Sequence, residues 1–157
     1  LKRIDYSLIK GGGKVLQVVQ GSSTTQTAIA ATSFTDVGLS AAITPAATSS
    51  KILIITSAEY IAYIGENTDV DTDVQIVRDT TVIHIGLEVL GSKVGVGDDG
   101  YQRTWGIVNQ VYLDSPSSTS EVVYKLQSAN STTDGNRQIK WQHNSSPSTL
   151  TLIEIGA

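Results

Sequence analysis

Apolar and polar residues alternate with a period of two along most of the chain, and no stretch shows the three-to-four spacing of an amphipathic helix. Val15-Leu16-Gln17-Val18-Val19-Gln20 reads as a first strand, closed by Gly21-Ser22-Ser23. Thr24 to Thr35 is polar and β-branched, a strand or an extended loop. Val37, Leu39, Ala41 and Ile43 then share one face. Lys51 to Ile64 is apolar on both faces at its start, which predicts a central strand or one with a face covered by a neighbouring chain. Val74 to Arg78 and Val82 to Leu87 form a hairpin about the Asp79-Thr80-Thr81 turn.

From Thr104 to Leu113, Trp105, Ile107, Asn109, Val111 and Leu113 lie on one side and Val108, Gln110 and Tyr112 on the other. Val122, Tyr124 and Leu126 point inward from the next strand. Ile139, Trp141 and His143 share a face over Gln138 to His143, and Leu150 to Ile155 is a last strand. About eight to ten short strands separated by turn clusters predict an all-β chain, an antiparallel β-sandwich of the jelly-roll or a related Greek-key type.

All three prolines stand before strands: Pro45 ahead of Lys51, Pro116 ahead of Glu121, and Pro147 ahead of Leu150. Proline fixes φ and supplies no ladder donor, so it ends one strand, and the Ser/Thr run after it satisfies backbone groups until the next begins. These segments announce architecture and hold no reactive group.

Residues 1–13 read differently. Lys2, Arg3, Ile4, Tyr6 and Leu8 precede Gly11-Gly12-Gly13, a flexible joint, so residues 1–13 are expected to be an arm or connector to something upstream and residues 14–157 the sandwich. The Gly-Gly-Gly-Lys run lacks P-loop spacing, and Val15 stands where a magnesium-binding hydroxyl belongs. A chain that begins with Leu1 fits either processing or a piece of something longer.

A chain of 157 residues is long enough for one self-sufficient core, and with no cysteine it has neither disulfides nor thiolate metal sites. Charged residues make up only 17%, and the net charge of −4 argues against a surface that tracks nucleic-acid phosphates. No apolar run reaches membrane-spanning length and no signal peptide is visible, so no membrane insertion is expected.

Candidate chemistry is sparse. His84 and His143 stand in no nucleophile elbow or metal-ligand spacing. Asp69, Asp71 and Asp73, with Glu66 before them, place carboxylates at alternate positions of an acidic loop, as calcium prefers. Val74 stands where the EF-hand turn needs glycine, however, and Thr80 where its bidentate Glu belongs. Asn130-Ser131-Thr132 and Asn144-Ser145-Ser146 match the glycosylation sequon and read as turn residues. More telling are Tyr101, Arg103 and Trp105 at the end of a glycine-rich loop, Leu90 to Tyr101, that carries Asp98 and Asp99. Aromatic rings beside polar groups hold sugars, the ring taking the C–H face and the polar groups the hydroxyls. Strand phase leaves Trp105 open between core and site, and places Trp141 in the core. No cofactor is expected.

Several segments carry a family resemblance. Gly13-Lys14-Val15-Leu16-Gln17-Val18-Val19-Gln20 and Gly38-Leu39-Ser40-Ala41-Ala42-Ile43-Thr44-Pro45 are similar to a domain of tailed-phage fibre and virion surface proteins. So are Thr48-Ser49-Ser50-Lys51-Ile52-Leu53-Ile54, Arg78-Asp79-Thr80-Thr81, Tyr112-Leu113-Asp114-Ser115-Pro116 with Thr119-Ser120, and the ending Ser148 to Ala157. The resemblance runs from about Gly13 onward, and its motifs are structural. It implies a β-sandwich that forms a homotrimer on the phage particle, at a fibre tip, contacting host surface polysaccharide without catalysis. A head decoration, spike or tail connector protein that binds only other virion proteins is the alternative; on either reading the arm, through Lys2, Arg3, Ile4, Tyr6 and Leu8, is expected to dock on other virion proteins. A depolymerase-like enzyme finds no support, because the chain is short and lacks paired carboxylates.

Overall fold

A computed structural model describes residues 13–64, 70–91, 102–130 and 138–156. Its strands are β1 (Lys14–Ser23), β2 (Thr27–Ile29), β3 (Thr35–Ile43), β4 (Lys51–Ile64), β5 (Val70–Arg78), β6 (Thr81–Gly91), β7 (Gln102–Asp114), β8 (Val122–Asn130), β9 (Gln138–Trp141) and β10 (Ser148–Gly156). Four of them pair in the order β1-β10-β4-β7 to make sheet A, and β3-β8-β5-β6 make sheet B. Every pairing is antiparallel. Two layers of four with these crossovers are the jelly-roll order, and β9 and β2 extend sheet A beyond it.

Strand β4 organises sheet A. One edge pairs with β7 along its whole length, from Ile52 opposite Asp114 to Ile64 opposite Gln102. The other edge is shared: β10 takes Lys51 to Ser57 and β9 takes Tyr60 to Tyr63. Between β9 and β10 the chain leaves the ladder at Gln142 (φ 50°) and passes through a 3₁₀ turn, His143–Ser145. The gap this opens is sealed by two bonds, from the Gln142 N–H to the Glu59 carbonyl (3.1 Å) and from the Glu59 N–H to Ser148 Oγ (3.1 Å). The amide of Gln142 is buried. In the orientation its neighbours require, it donates to the carbonyls of Thr25 and Val37 and accepts from Ser148 Oγ. The left-handed residue also takes His143 off the face of Ile139 and Trp141, where strand phase alone had put it.

The core lies between the sheets. Sheet A contributes Ile52, Ile54, Ala58, Tyr60, Ile139, Trp141, Leu150 and Leu152; sheet B contributes Val37, Leu39, Ile43, Val74, Ile76, Tyr124 and Leu126. The period-two faces of β3, β8 and β10 thus fall where alternation predicts. Trp141 is fully buried, packs at a tilt on Tyr60 (ring centroids 5.8 Å apart) and donates from Nε1 to Ser128 Oγ of sheet B at 2.9 Å.

Three more polar ties cross or anchor the layers. Asp114 Oδ2, on sheet A, accepts from Arg78 Nη1 (2.7 Å) and Tyr124 Oη (2.8 Å), both on sheet B. Burial, reinforced by Asp114, pushes the Tyr124 phenol far above its ordinary pKa, so it stays a donor. Asn130 donates from Nδ2 to the Ile29 carbonyl (3.1 Å) and accepts at Oδ1 from Thr72 Oγ1 (2.6 Å). Glu154, fully buried, accepts from Gln17 Nε2 (2.6 Å) and the Ala46 N–H (2.7 Å), and so pins the loop of Pro45 against β10.

The two open sides of the sandwich close differently. On one, β1 crosses β3 so tightly that a Cβ on Gly21 would stand 1.9 Å from the Ser40 carbonyl oxygen; only glycine fits. On the other, His84 stacks on Tyr112 (4.9 Å, 24°) and the Gln110 amide fills the space above Gly86.

Candidate functional site

Because every ladder of sheet A has a defined register, its outer face can be assembled row by row from the sequence. Residues Lys14, Gly156, Lys51 and Asp114 stand at one end, the foot; Tyr63, Arg103 and Gln138 stand at the other, the tip. Near the foot, Val18, Ile153, Leu53 and Leu113 line up side by side across four strands, with Val15 and Ile155 beneath them. The next row is Gln20, Thr151, Ile55 and Val111, and the third is Ser22, Thr149, Ser57 and Asn109. Above these, β4 and β7 pair Glu59 with Ile107, Ile61 with Trp105 and Tyr63 with Arg103, while β9 adds Lys140 beside Ile61 and Gln138 beside Tyr63.

Two zones result. The foot zone is apolar and open to solvent: Val15, Val18, Val111 and Leu113 are each half or more exposed, Val111 at 64%. Apart from Lys51, its polar members are hydroxyls and amides, such as Gln20, whose Nε2 donates to Thr151 Oγ1 at 2.9 Å. The tip zone is aromatic and cationic. Trp105 is 61% exposed. Lys140 Nζ lies 4.2 Å from the centre of the Tyr63 ring and the Arg103 guanidinium 5.5 Å from it, and His143 meets the same ring edge-on at 6.2 Å. The His143 ring nitrogen Nδ1 is held by Gln26 Oε1 at 2.8 Å. Two cations over one ring, beside an exposed indole, make a surface that offers flat apolar contact and positive charge together.

Of the residues singled out from sequence, Arg103 and Trp105 meet here, on neighbouring outward positions of β7. Their partners Tyr63, Lys140 and His143 went unnoticed as site residues, since they come from β4, β9 and the turn after it; cross-strand register, not sequence spacing, joins them. Tyr101, Asp98 and Asp99 lie outside the described residues, as do Lys2, Arg3, Ile4, Tyr6, Leu8 and Asp69. Asp71 and Asp73 are not in a loop. They sit on β5, where Thr72 and Val74 are buried on the inner face and Thr72 is bonded inward to Asn130. Among the described residues no group of three or more His, Asp or Glu side chains is placed to hold a metal ion. His84 is half-buried against Tyr112. Trp141 is core, as strand phase placed it.

The chain offers a fixed surface and several bonded carboxylates that serve the fold. Asp36 is one: despite some burial, the amide of Gln127 and the ammonium of Lys125 (3.0 Å) hold its carboxyl below the usual range. No described helix is long and apolar enough to cross a membrane.

No family model matches the chain, and no curated protein sequence matches it. Among solved structures, the T13 particle of infectious bursal disease virus aligns with 13% identity over 100% of this chain, at a TM-score of 0.39. A mutant VP2 protein of the same virus in T=1 particles aligns with 11% identity over 98% (TM-score 0.39), and further T=1 particles derived from that virus with 11% over 100% (TM-score 0.39). The chain spans 40% of the length of each of those proteins. A TM-score of that size is below the level of a shared fold, and the jelly-roll assignment rests on the strand order above.

Proposed function

We propose that the chain is a structural subunit of a virus particle, of the phage fibre-tip kind its sequence resembles, and that its tip attaches the particle to host surface glycans without catalysis. The observation that carries this reading is the tip zone: an exposed Trp105 beside Tyr63, Arg103 and Lys140, placed at the far end of the sandwich from Lys14 and Gly156. An indole takes the apolar face of a pyranose, and two cations favour saccharides that bear carboxylates. A single such site binds weakly; several copies on one particle raise avidity without any new contact.

The test is binding of the purified chain to a panel of acidic and neutral bacterial surface polysaccharides, read by biolayer interferometry. Trp105→Ala combined with Lys140→Ala should abolish binding to acidic members, while Ile85→Glu, on the outer face of sheet B, should leave it intact. Binding that survives the double substitution removes the tip from the reading. A chain that binds no polysaccharide but is incorporated into particles supports the alternative of a decoration or connector protein.

A further inference from the structure

We infer that Glu59 is the second pole of the tip site, and that the saccharide bound there carries a free amino group as well as a carboxylate. The inference rests on the tip reading above and narrows it. Glu59 stands on the outer face of β4, opposite Ile107; the next outward position of the strand is Ile61, flanked by Trp105 and Lys140. One oxygen of Glu59, Oε2, is shut off from solvent and accepts no hydrogen bond from any described residue. The residue as a whole is only part-buried, so this carboxylate lies at the surface and not in the core.

A carboxylate oxygen shielded from water without a donor is costly, and its persistence calls for a reason. The carboxylates that serve the fold are bonded: Glu154 accepts from Gln17 and the Ala46 N–H, Asp114 from Arg78 and Tyr124, and Asp36 from Gln127 and Lys125. Glu59 serves the fold through its backbone, whose N–H and carbonyl close the gap between β9 and β10. Lys140 is the cation nearest to it in register, one row away on β9. Its ammonium turns towards the tip instead, 4.2 Å from the centre of the Tyr63 ring. The carboxylate is thus left open to a donor from outside.

Charge is ordered along β4. At about 3.3 Å per residue, the Glu59 row lies roughly 13 Å from the Tyr63 row, with Trp105 on the row between. A sugar ring laid on the exposed indole has cations on one side and a carboxylate on the other. A hydroxyl suits either pole. An ammonium is drawn to Glu59 and repelled by Arg103 and Lys140, and a sugar carboxylate the reverse, so a saccharide unit bearing both is held in one orientation.

The probe is an oligosaccharide of alternating glucuronic acid and glucosamine, used with its amino groups free and again fully N-acetylated. Each form is titrated into the full 157-residue chain by isothermal titration calorimetry. The free-amine form should bind about tenfold more tightly, the worth of one charge-assisted bond. A purely cationic tip gives the opposite order, because the N-acetylated form carries the greater net negative charge. Glu59→Gln keeps the side chain's shape; it should abolish the preference and leave binding of the N-acetylated form unchanged. Its urea midpoint should equal or exceed that of the wild type, since no contact of the fold is lost. A wild type that binds neither form, or both equally, overturns the inference, and so does a preference that survives Glu59→Gln. A lowered midpoint overturns it as well, because the carboxylate would then serve the fold. In each of these cases binding of other acidic polysaccharides, lost in Trp105→Ala with Lys140→Ala, keeps the tip reading in place.

Discussion

Glu154 is the most exacting test of how the fold is held. It is a fully buried carboxylate in the apolar strand β10, and its two oxygens accept from Gln17 Nε2 at 2.6 Å and from the Ala46 N–H at 2.7 Å. Replacing it with Gln keeps the shape, but one of its ends becomes an NH₂ group that faces a donor. One charge-assisted bond, worth about 1.5–3 kcal/mol, is lost, and a buried donor is left unpaired at a further cost of about 1–3 kcal/mol. A net loss of about 3 kcal/mol follows after partial relaxation, which lowers the melting temperature of a domain this size by roughly 6–12 °C.

The pH dependence gives the sharper check. Burial alone would raise the Glu154 pKa, but the bonds it accepts from Gln17 and the Ala46 N–H help to outweigh burial and hold the carboxyl below its ordinary 4.5. A pKa lower in the folded than in the unfolded chain means that the fold favours the charged form. That contribution is complete above about 4.5 and fades as pH falls through the folded value. Gln does not titrate, so the stability gap between wild type and Glu154→Gln, measured by urea unfolding in steps from pH 7 to pH 3, should be widest at neutral pH and narrow in acid. A gap that stays constant across that range, or a neutral gap under about 0.5 kcal/mol, would refute the account.

Other outcomes follow from the same contacts. The two tryptophans should behave as opposites: Trp141→Ala removes a buried ring and the bond to Ser128 and should cost about 3–5 kcal/mol, while Trp105→Ala should change stability by under about 0.5 kcal/mol, both read by denaturant melts. Tyr124→Phe deletes one of the two donors to Asp114 and should cost about 1–2 kcal/mol in the same assay. Gly21→Ala drives a methyl into the Ser40 carbonyl and should either prevent folding or cost about 3 kcal/mol or more, seen as loss of soluble protein or a depressed melting temperature.

Alternation made most of the strands legible, because β3, β8 and β10 bury one face and wet the other. It was blind where both faces are apolar. In β7, Trp105, Ile107, Val111 and Leu113 alternate with Val108, Gln110 and Tyr112, and phase divides the two sets without saying that the more polar set, Gln110 included, is the buried one. The doubly apolar start of β4 did carry its message: the strand is central, and Leu53 and Ile55 stand on the outer face. Glu154 gave no sign of burial, since its partners Gln17 and Ala46 lie over a hundred residues away in the chain. The tip was half legible. Arg103 and Trp105 are two residues apart in sequence, whereas Tyr63 and Lys140 join them only through the ladders of β4 with β7 and β9.

The pairing of β4 with β7 has a mechanical consequence. Thirteen consecutive residue pairs join the two strands from foot to tip. A pull between Arg103 at one end and Lys14 or Gly156 at the other runs parallel to these strands, so the rungs share the load in shear. A pull across the sheet would open them one after another. The domain is in this sense a strut, stiff along the line from foot to tip and weaker across it, and a particle tethered at the tip would draw on its strong direction.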